Sequence, residues 1–358
     1  MTLADLLAPE LVLAAFAGGA FGAAVGALPS FSLAGLVVVV GELYASATRS
    51  ITGSVPVDVT GGVAFGVVLG PHVAFAGGAA AVAYAGRRGY LDSDGDAYDP
   101  KDVTRGLGSR PDVLAVGGAF GVVGYWVATF AASLGVPVDP VALGVVVSAL
   151  AHRAVLGYGV VGAPASRLLD VSSVRAADPS SEEAMRSDGG PRTEETEPTG
   201  AVDIWLPYQY RWGHVLALGS VVGVLSAYTA YLTGSAFLAF GITVSVLFLL
   251  CAGVGEIPVT HHMALPASTV VVALAGVSGG VPAPGAVSAS VPLGVALVAG
   301  GAFGAAGGLL GELAQRVFYA HAETHLDPPA TSIVVTSGLI AVLAATGVLP
   351  AAAWVPLP

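Results

Sequence analysis

Charged residues are scarce in this sequence. They make up 10% of the 358 residues, whereas hydrophobic residues make up 55%, and a soluble globular domain carries about 25% charged residues. The mean hydropathy is +0.81. The apolar runs extend for about 18 to 28 residues without the alternation of a membrane β-barrel, which is the length of a bilayer-spanning helix. The composition therefore predicts an all-α integral membrane protein whose partner is a lipid bilayer rather than a nucleic acid.

Lysine and cysteine are almost absent. Lys101 is the only lysine, and acidic residues outnumber basic ones by 24 to 13. Because carboxylate-rich surfaces with almost no lysine suit high salt, we expect a haloarchaeal source. Cys251 is the only cysteine and forms no intramolecular disulfide. Residues 1–10 lack the basic region of a secretory signal, so the apolar segment that follows is interpreted as a retained first span.

Hydropathy, divided at prolines and charged residues, predicts ten membrane segments. They cover residues 9–28, 30–47, 57–86, 112–134, 138–158, 211–232, 235–254, 258–279, 289–318 and 327–349. The third segment is too long for one ordinary span and is interrupted by Gly70-Pro71, so we predict a broken or re-entrant helix. The eighth segment, which contains Pro258 and Pro266, is its expected counterpart. Backbone groups freed at such breaks are tolerated in a membrane only where protein or a water-filled cavity satisfies them.

The same short sequences punctuate the apolar runs twice, in the same order. They are Val40-Gly41-Glu42 and Val254-Gly255-Glu256, the Gly-Gly-Ala-Phe-Gly sequences at Gly117 and Gly300, and the Asp-Pro pairs at Asp139 and Asp327. An odd number of crossings inverts the second copy of a duplicated unit. We therefore predict two inverted five-helix repeats, residues 1–158 and 211–358, joined by the acidic linker 159–210.

Two polar loops predict the orientation of the chain. Loop 87–112 carries five basic residues next to helix ends, which favours the cytoplasmic side. The linker 159–210 is rich in Ser, Pro, Asp and Glu and is expected to be disordered, and the arginines around it again favour the cytoplasm. With ten crossings in the cell membrane, both termini are expected outside.

Glycines four residues apart recur in the apolar runs. The pairs are Gly18 and Gly22, Gly117 and Gly121, and Gly300 and Gly304. Such spacing leaves one face of a helix bare, so we interpret the three pairs as surfaces for close helix packing. A nucleotide-binding loop does not fit, because no polar strand-turn-helix context surrounds these glycines.

Three histidines lie in the predicted breaks: His72 in the third segment and His261 and His262 in the eighth. Ionisable side chains are costly inside a membrane, although neutral histidine costs less than a full charge. Two interpretations stay open, namely a structural imidazole bonded to freed carbonyls and a group that lines a solute pathway. The predicted pathway-lining residues are Gly70, Pro71, His72, His261, His262, Pro266 and Ser268.

A second histidine pair, His321 and His325, has the spacing of one helical face, and Asp327 follows. These residue types bind zinc or another divalent ion, so they form a candidate metal site, with surface histidines at a helix end as the alternative. The metalloprotease signature is absent because Ala322 follows the first histidine. A metalloenzyme that also uses His261 and His262 is the alternative function; no other cofactor is expected.

Three glutamates lie in or beside the apolar runs. Glu42 and Glu256 end equivalent helices, where a glutamate is either solvated or part of a vestibule. Glu312 lies deeper and stands four residues before Arg316, which predicts an ion pair. Proton coupling is the alternative role for Glu312.

The organisation resembles that of urea transporters, which contain two inverted five-helix repeats with breaks near the midplane. The resemblance covers the whole membrane portion, but it is one of plan without shared motifs, so no binding residue is carried over. The sequences 69–78 (LGPHVAFAGG) and 325–330 (HLDPPA) look like an uncharacterised prokaryotic membrane family. The resemblance implies a homo-oligomer, with a trimer expected by analogy.

The leading hypothesis is a channel or passive transporter, not an enzyme, for a small solute or ion. Its pathway is expected where the two repeats meet, around the breaks in the third and eighth segments, because half-helix ends present uncancelled backbone dipoles there. A third hypothesis is a structural membrane scaffold whose acidic linker recruits a partner.

Overall fold

The computed structural model describes residues 2–91, 99–162, 168–171, 204–279, 282 and 285–357, and their regular structure is helical apart from one isolated bridge between Ser278 and Ala353. The α-helices are α1 (Pro9–Val25), α2 (Ala27–Thr52), α3 (Ala74–Arg87), α4 (Pro111–Ser133), α5 (Pro140–Leu156), α6 (Trp212–Thr233), α7 (Leu238–Ser245), α8 (Leu247–Cys251), α9 (His261–Leu274), α10 (Ala286–Ser290), α11 (Leu293–Ala314) and α12 (Pro328–Ala345). A 3-10 helix covers Leu3–Leu7, and π-helical turns cover Thr60–Ala64 and Gln315–Tyr319. Most of the linker 159–210, including its acidic stretch, lies outside the described residues.

Five helices within the described residues are long and apolar enough to cross a membrane. They are α2, α4, α6, α12, and α11 together with the π-helical turn that ends at Tyr319. The shorter apolar helices α1, α5, α7 with α8, and α9 have 14 to 17 residues, whereas a lone span needs about 20. The predicted all-α class is confirmed, and the five helices are compatible with a membrane protein. By length and composition, five helices among the described residues could each cross a membrane alone, so the ten predicted segments are not confirmed.

The two Asp-Pro pairs start two of these helices. The Oδ1 atom of Asp139 accepts hydrogen bonds from the amides of Val141 and Ala142, and Asp327 accepts one from the amide of Ala330. In both helices proline occupies the first turn, where its missing N–H and fixed φ do no harm. The repeated Asp-Pro sequence therefore produces the same local structure at the beginning of α5 and of α12.

The third predicted segment is interrupted in the structure. Its π-helical turn ends at Ala64, and α3 begins only at Ala74. The eighth segment differs from the prediction, because α9 runs without a break through Pro266. A proline has no amide hydrogen, so Pro266 removes only the helical bond to the carbonyl of His262. One lost bond in the second turn of a fully buried helix does not end that helix.

The helices pack in the same way in the first half of the chain, residues 2–162, and in the second half, residues 204–357. In the first half α1 packs on α3 and α4, and α4 packs on α5. In the second half α6 packs on α9 and α11, and α11 packs on α12. The halves meet through the contact of α2 with α7 and through that of α5 with α12. We refer to these two contacts together as the interface between the halves.

Close packing of helix backbones accounts for the six glycines that the sequence singles out. Gly18 and Gly22 in α1 lie against the backbone of Val68 and Ala74, Gly117 and Gly121 in α4 lie against α1, and Gly300 and Gly304 in α11 lie against α6. A Cβ atom at any of the six would overlap with atoms of another element. Bare glycine faces therefore set the distance between α1 and α4 and between α6 and α11.

Candidate functional site

A cavity of about 340 Å³ lies between the halves of the chain. Ligand pockets have volumes of about 300 to 1,000 Å³, so a small molecule fits this cavity. Its wall is mainly apolar and contains the aromatic side chains Phe31, Phe65, Phe75, Phe237, Phe240 and Trp354. The first three belong to the first half of the chain and the last three to the second half. The cavity is therefore built jointly by the two halves.

The aromatic rings of the two halves touch one another. The centroid of Phe31 is 5.9 Å from that of Phe75 and 6.2 Å from that of Phe240, with edge-to-face geometry. Phe237 lies 5.4 Å from Phe65 in the other half. Edge-to-face contacts at these distances stabilise aromatic pairs. The rings thus form a connected aromatic wall across the interface between the halves.

Two carboxylates, those of Asp139 and Asp327, line the same cavity. The amide of Asp139 donates a hydrogen bond of 2.9 Å to the hydroxyl of Ser337. Ser337 is ten residues after Asp327 on one helix, which separates the two aspartates by about 15 Å along the helix axis. Asp327 in turn shares a small cavity with Ala149, nine residues after the start of α5. The helices α5 and α12 are therefore antiparallel, and each begins with an aspartate at one end of the cavity.

Asp327 is paired with His325. The Nε2 atom of His325 lies 3.3 Å from Oδ1 of Asp327, and the imidazole is fully buried. Its ring packs edge-to-face on Phe75, Trp205 and Tyr319, with centroid distances of 5.7, 5.2 and 5.3 Å. Aromatic side chains from both halves therefore fill the space behind Asp327.

The two ends of the cavity differ in exposure. The wall residues next to Asp139 in the sequence, Pro140 and Val141, and the preceding wall residue Ala132 are half-buried. The wall residues next to Asp327, Phe75 and Ala330, are buried. The cavity consequently lies nearer the protein surface at its Asp139 end.

The predicted pathway residues have different surroundings. Pro71 and His261 line the cavity. His262 lines a smaller cavity of about 30 Å³ together with Glu312. The remaining four residues line neither of these two cavities and are buried: Gly70, His72, Pro266 and Ser268. The hydroxyl of Ser268 donates a hydrogen bond to the carbonyl of Ala264 within α9. Two of the seven predicted pathway residues thus line the main cavity, and the pathway itself stays a prediction.

Several buried imidazoles lack hydrogen-bond partners within the described part of the chain. Neither ring nitrogen of His72 has one, and the Nδ1 atoms of His261, His262 and His325 also lack one. The structural interpretation expected the His72 imidazole to bond to freed carbonyls, and it does not do so. His261 is the member of this group that lines the main cavity, although its Nδ1 atom is itself buried.

The candidate metal residues make other contacts. The Nε2 atom of His321 donates a 3.0 Å hydrogen bond to the carbonyl of Leu168, and His325 is paired with Asp327. Among the residues described, no group of three or more His, Cys, Asp or Glu side chains is arranged to hold a metal ion. The metal site on His321, His325 and Asp327 stays a prediction.

The three glutamates have distinct environments. The ion pair predicted between Glu312 and Arg316 is confirmed, with 2.6 Å between Oε1 and Nε. Glu42 is buried rather than solvated, because its carboxylate accepts hydrogen bonds from the hydroxyls of Thr60 and Ser235 at 2.7 and 2.6 Å. Glu256 is exposed. Glu42 thereby connects the two halves of the chain.

Sequence reasoning singled out His261 and Asp327 but missed the other polar and aromatic residues of the cavity wall. Asp139 entered only as part of a turn, and the aromatic residues did not stand out from the apolar runs around them. A phenylalanine in a membrane helix has the same sequence signal whether it faces lipid or a cavity. The Asp-Pro pairs at Asp139 and Asp327, which precede equivalent apolar runs, were the available signal for a shared site.

Comparison with known proteins gives a family. No curated protein and no solved structure matches this sequence. One family model matches residues 1–358, which is the whole length of the sequence. The chain therefore belongs to the family of unknown function DUF7973.

Proposed function

We propose that this protein is a channel or passive transporter of the cell membrane that moves a small solute between its two halves. The observation that carries the proposal is the cavity of about 340 Å³ whose walls come from both halves. Membrane transporters commonly place the substrate at the interface of two repeats. An apolar wall with a few convergent polar groups is also the usual composition of a ligand site.

We further infer that residues 1–158 and 211–358 are inverted repeats, connected by a cytoplasmic linker at 159–210. Three features support this: helix packing follows the same plan in each half, equivalent Asp-Pro pairs start α5 and α12, and these two helices are antiparallel. Antiparallel equivalent helices are related by a two-fold axis perpendicular to them, which is the symmetry of inverted repeats. In this arrangement the shorter apolar helices α1, α5, α7 with α8, and α9 also cross the membrane, packed against the longer helices. Loop 87–112 is cytoplasmic and both termini are external in this proposal.

The difference between the two ends of the cavity supports a gated pathway. His325, Trp205 and Tyr319 fill the space beyond Asp327, whereas the Asp139 end has a half-buried rim. A solute that enters beside Asp139 and reaches Asp327 can pass beyond Asp327 only if this aromatic group moves aside. Lids and gates of this kind move on microsecond to millisecond timescales. The proposed cycle therefore alternates the exposure of the two aspartates.

Solute flux into liposomes tests the proposal. We expect vesicles that contain the full chain to take up at least one solute of a panel of urea, ammonium, methylammonium, choline and sodium faster than empty vesicles. If vesicles with and without the protein took up every solute of the panel at the same rate, the result would contradict a conduit. The same preparation, cross-linked in detergent, reports whether the protein is a homo-oligomer and whether it is the expected trimer.

A cysteine variant locates the pathway after folding is complete. Val141 lines the cavity and is half-buried, so Val141→Cys in a Cys251→Ser background gives a thiol that small methanethiosulfonate reagents reach. We expect labelling of this thiol to reduce flux strongly. Ala17→Cys in the same background is the control, because Ala17 lies on the exposed surface of α1. Flux that survives complete labelling at Val141 would place the pathway elsewhere.

A further inference from the structure

We propose that the cavity between the halves binds a small organic cation of the alkylammonium class. This inference deepens the proposed transport function, since it names the solute that such a pathway selects. It rests on two features of the cavity wall: its aromatic rings and the sign of its charged groups. Each feature favours a cation over an anion or a neutral solute.

The aromatic residues are the first feature. Six rings line the cavity, and rings of this kind attract a cation through the negative charge density on their faces. Quaternary ammonium groups are recognised by aromatic cages for this reason, because such ions are only weakly hydrated and lose little when they leave water. An inorganic ion would instead need several oxygen ligands. The wall is therefore better suited to an alkylated ammonium than to a metal cation.

The charged groups are the second feature. Asp139 and Asp327 line the cavity, and the described wall contains no lysine or arginine. The beginnings of α5 and α12 contribute about half a positive charge each, so the two carboxylates leave a net charge of about −1. The Oδ1 atom of Asp139 is bonded to helix amides. Its Oδ2 atom accepts no hydrogen bond from the described residues and is therefore available to a cation.

Calorimetric titration of the detergent-solubilised full chain tests the inference without depending on flux. Choline and 3,3-dimethyl-1-butanol form a matched pair, because they have almost the same shape and differ in the positive charge. We expect choline to bind at least about tenfold more tightly than the neutral analogue, since a desolvated cation–π contact contributes more than a tenfold factor. Urea and acetate should bind more weakly than choline.

Asp139→Asn separates the charge of this residue from its structural role. Asparagine caps a helix about as well as aspartate, so α5 keeps its beginning while the negative charge is lost. We expect choline affinity to fall by about tenfold or more, with the weak binding of the neutral analogue unchanged. Asp112→Asn is the matched control, because Asp112 lies in the first turn of α4 and does not line the cavity.

Phe240→Leu tests the aromatic wall in the same way. Leucine retains an apolar side chain but has no ring, so we expect choline affinity to fall several-fold, while the affinity for 3,3-dimethyl-1-butanol changes less. Phe130→Leu is the control, because Phe130 is 51% exposed and lies outside the cavity wall. Thermal unfolding of each variant verifies that it is folded before titration.

The possible results separate this inference from the proposed transport function. Equal affinity for choline and its neutral analogue, tighter binding of urea or acetate, or no binding of choline would each overturn the cation assignment. Flux of another solute would in those cases leave the conduit intact. Conversely, choline binding that is sensitive to Asp139→Asn, in vesicles that transport no solute, would retain the cation site and overturn the conduit.

Discussion

The carbonyl oxygen of His72 lies so close to Gly124 that a Cβ atom on this glycine would overlap with it. This carbonyl lacks its usual helical partner, because the amide of Ala76 donates to Pro71 instead, at 2.9 Å. A glycine face allows the backbone of α4 to approach the freed carbonyl, where a Cα–H group offers it a weak hydrogen bond. The break before α3 is therefore held against α4 by backbone contact.

The second half of the chain contains the same contact. The carbonyl of His262 lies against Gly307 in α11, where a Cβ atom would again overlap with it. Here the carbonyl is free because Pro266, four residues later, has no amide hydrogen. The first half has a broken helix at this position and the second half has an internal proline. In both halves a backbone carbonyl without its helical partner packs against a glycine of a neighbouring helix.

Gly124→Ala is expected to destabilise the protein. The added methyl group must displace the backbone at His72, and overpacking of this kind costs about 1 to 3 kcal/mol. Gly213→Ala is the matched control, because Gly213 lies in α6 with open space around it and alanine is favoured over glycine in a helix. Thermal unfolding in detergent should show a lower midpoint for the first variant only. Equal midpoints would contradict the close contact.

Glu42→Gln is expected to weaken the connection between the halves. Its carboxylate accepts hydrogen bonds from Thr60 and from Ser235, which lies 193 residues further along the chain. An amide provides only one acceptor oxygen, so one buried hydroxyl loses its partner at a cost of about 1 to 3 kcal/mol. Glu10→Gln, on an exposed residue of α1, should leave the midpoint of thermal unfolding unchanged. A similar loss in both variants would argue against a specific role for Glu42.

Local features of the structure were largely readable from the sequence. The Asp-Pro pairs at Asp139 and Asp327 predicted chain turns that prove to be helix starts, because capping depends on residues within one turn. The ion pair of Glu312 with Arg316 has the same local origin, since residues four apart share a helix face. These predictions depended on spacing alone, which is why they could be made from one sequence.

Features that depend on long-range packing could not be predicted. Phe31 and Phe240 belong to apolar runs in which every face of the helix is hydrophobic, so periodicity does not indicate which side chains face a cavity. The partner of Glu42 was equally hidden, because Ser235 is brought to it only by the contact of α2 with α7. Pro266 predicted a break that tertiary packing of α9 overrides.

Arg153→Lys is expected to destabilise the end of α5. The guanidinium of Arg153 is fully buried and donates hydrogen bonds to Thr324 and to the carbonyls of Val160 and Phe318. A lysine ammonium cannot reproduce this planar set of donors, so several acceptors lose their partners, with an expected cost of about 2 to 4 kcal/mol. The exposed Arg88 provides the control variant Arg88→Lys. Limited proteolysis should reveal faster cleavage near Thr324 in Arg153→Lys, and unchanged cleavage would refute the role of this network.

Glu312→Leu is expected to lower the thermal stability more than replacement of both members of its ion pair with Arg316. Both side chains are buried, and the guanidinium of Arg316 also donates to the carbonyls of Leu169 and Tyr210. The single variant leaves a buried arginine without its carboxylate, which costs about 3 to 5 kcal/mol, whereas an apolar pair in place of a buried ion pair is often nearly neutral. The double variant Glu312→Leu with Arg316→Met should therefore recover part of the lost thermal stability. A double variant less stable than Glu312→Leu would show instead that the carbonyl contacts of Arg316 outweigh its pairing with Glu312.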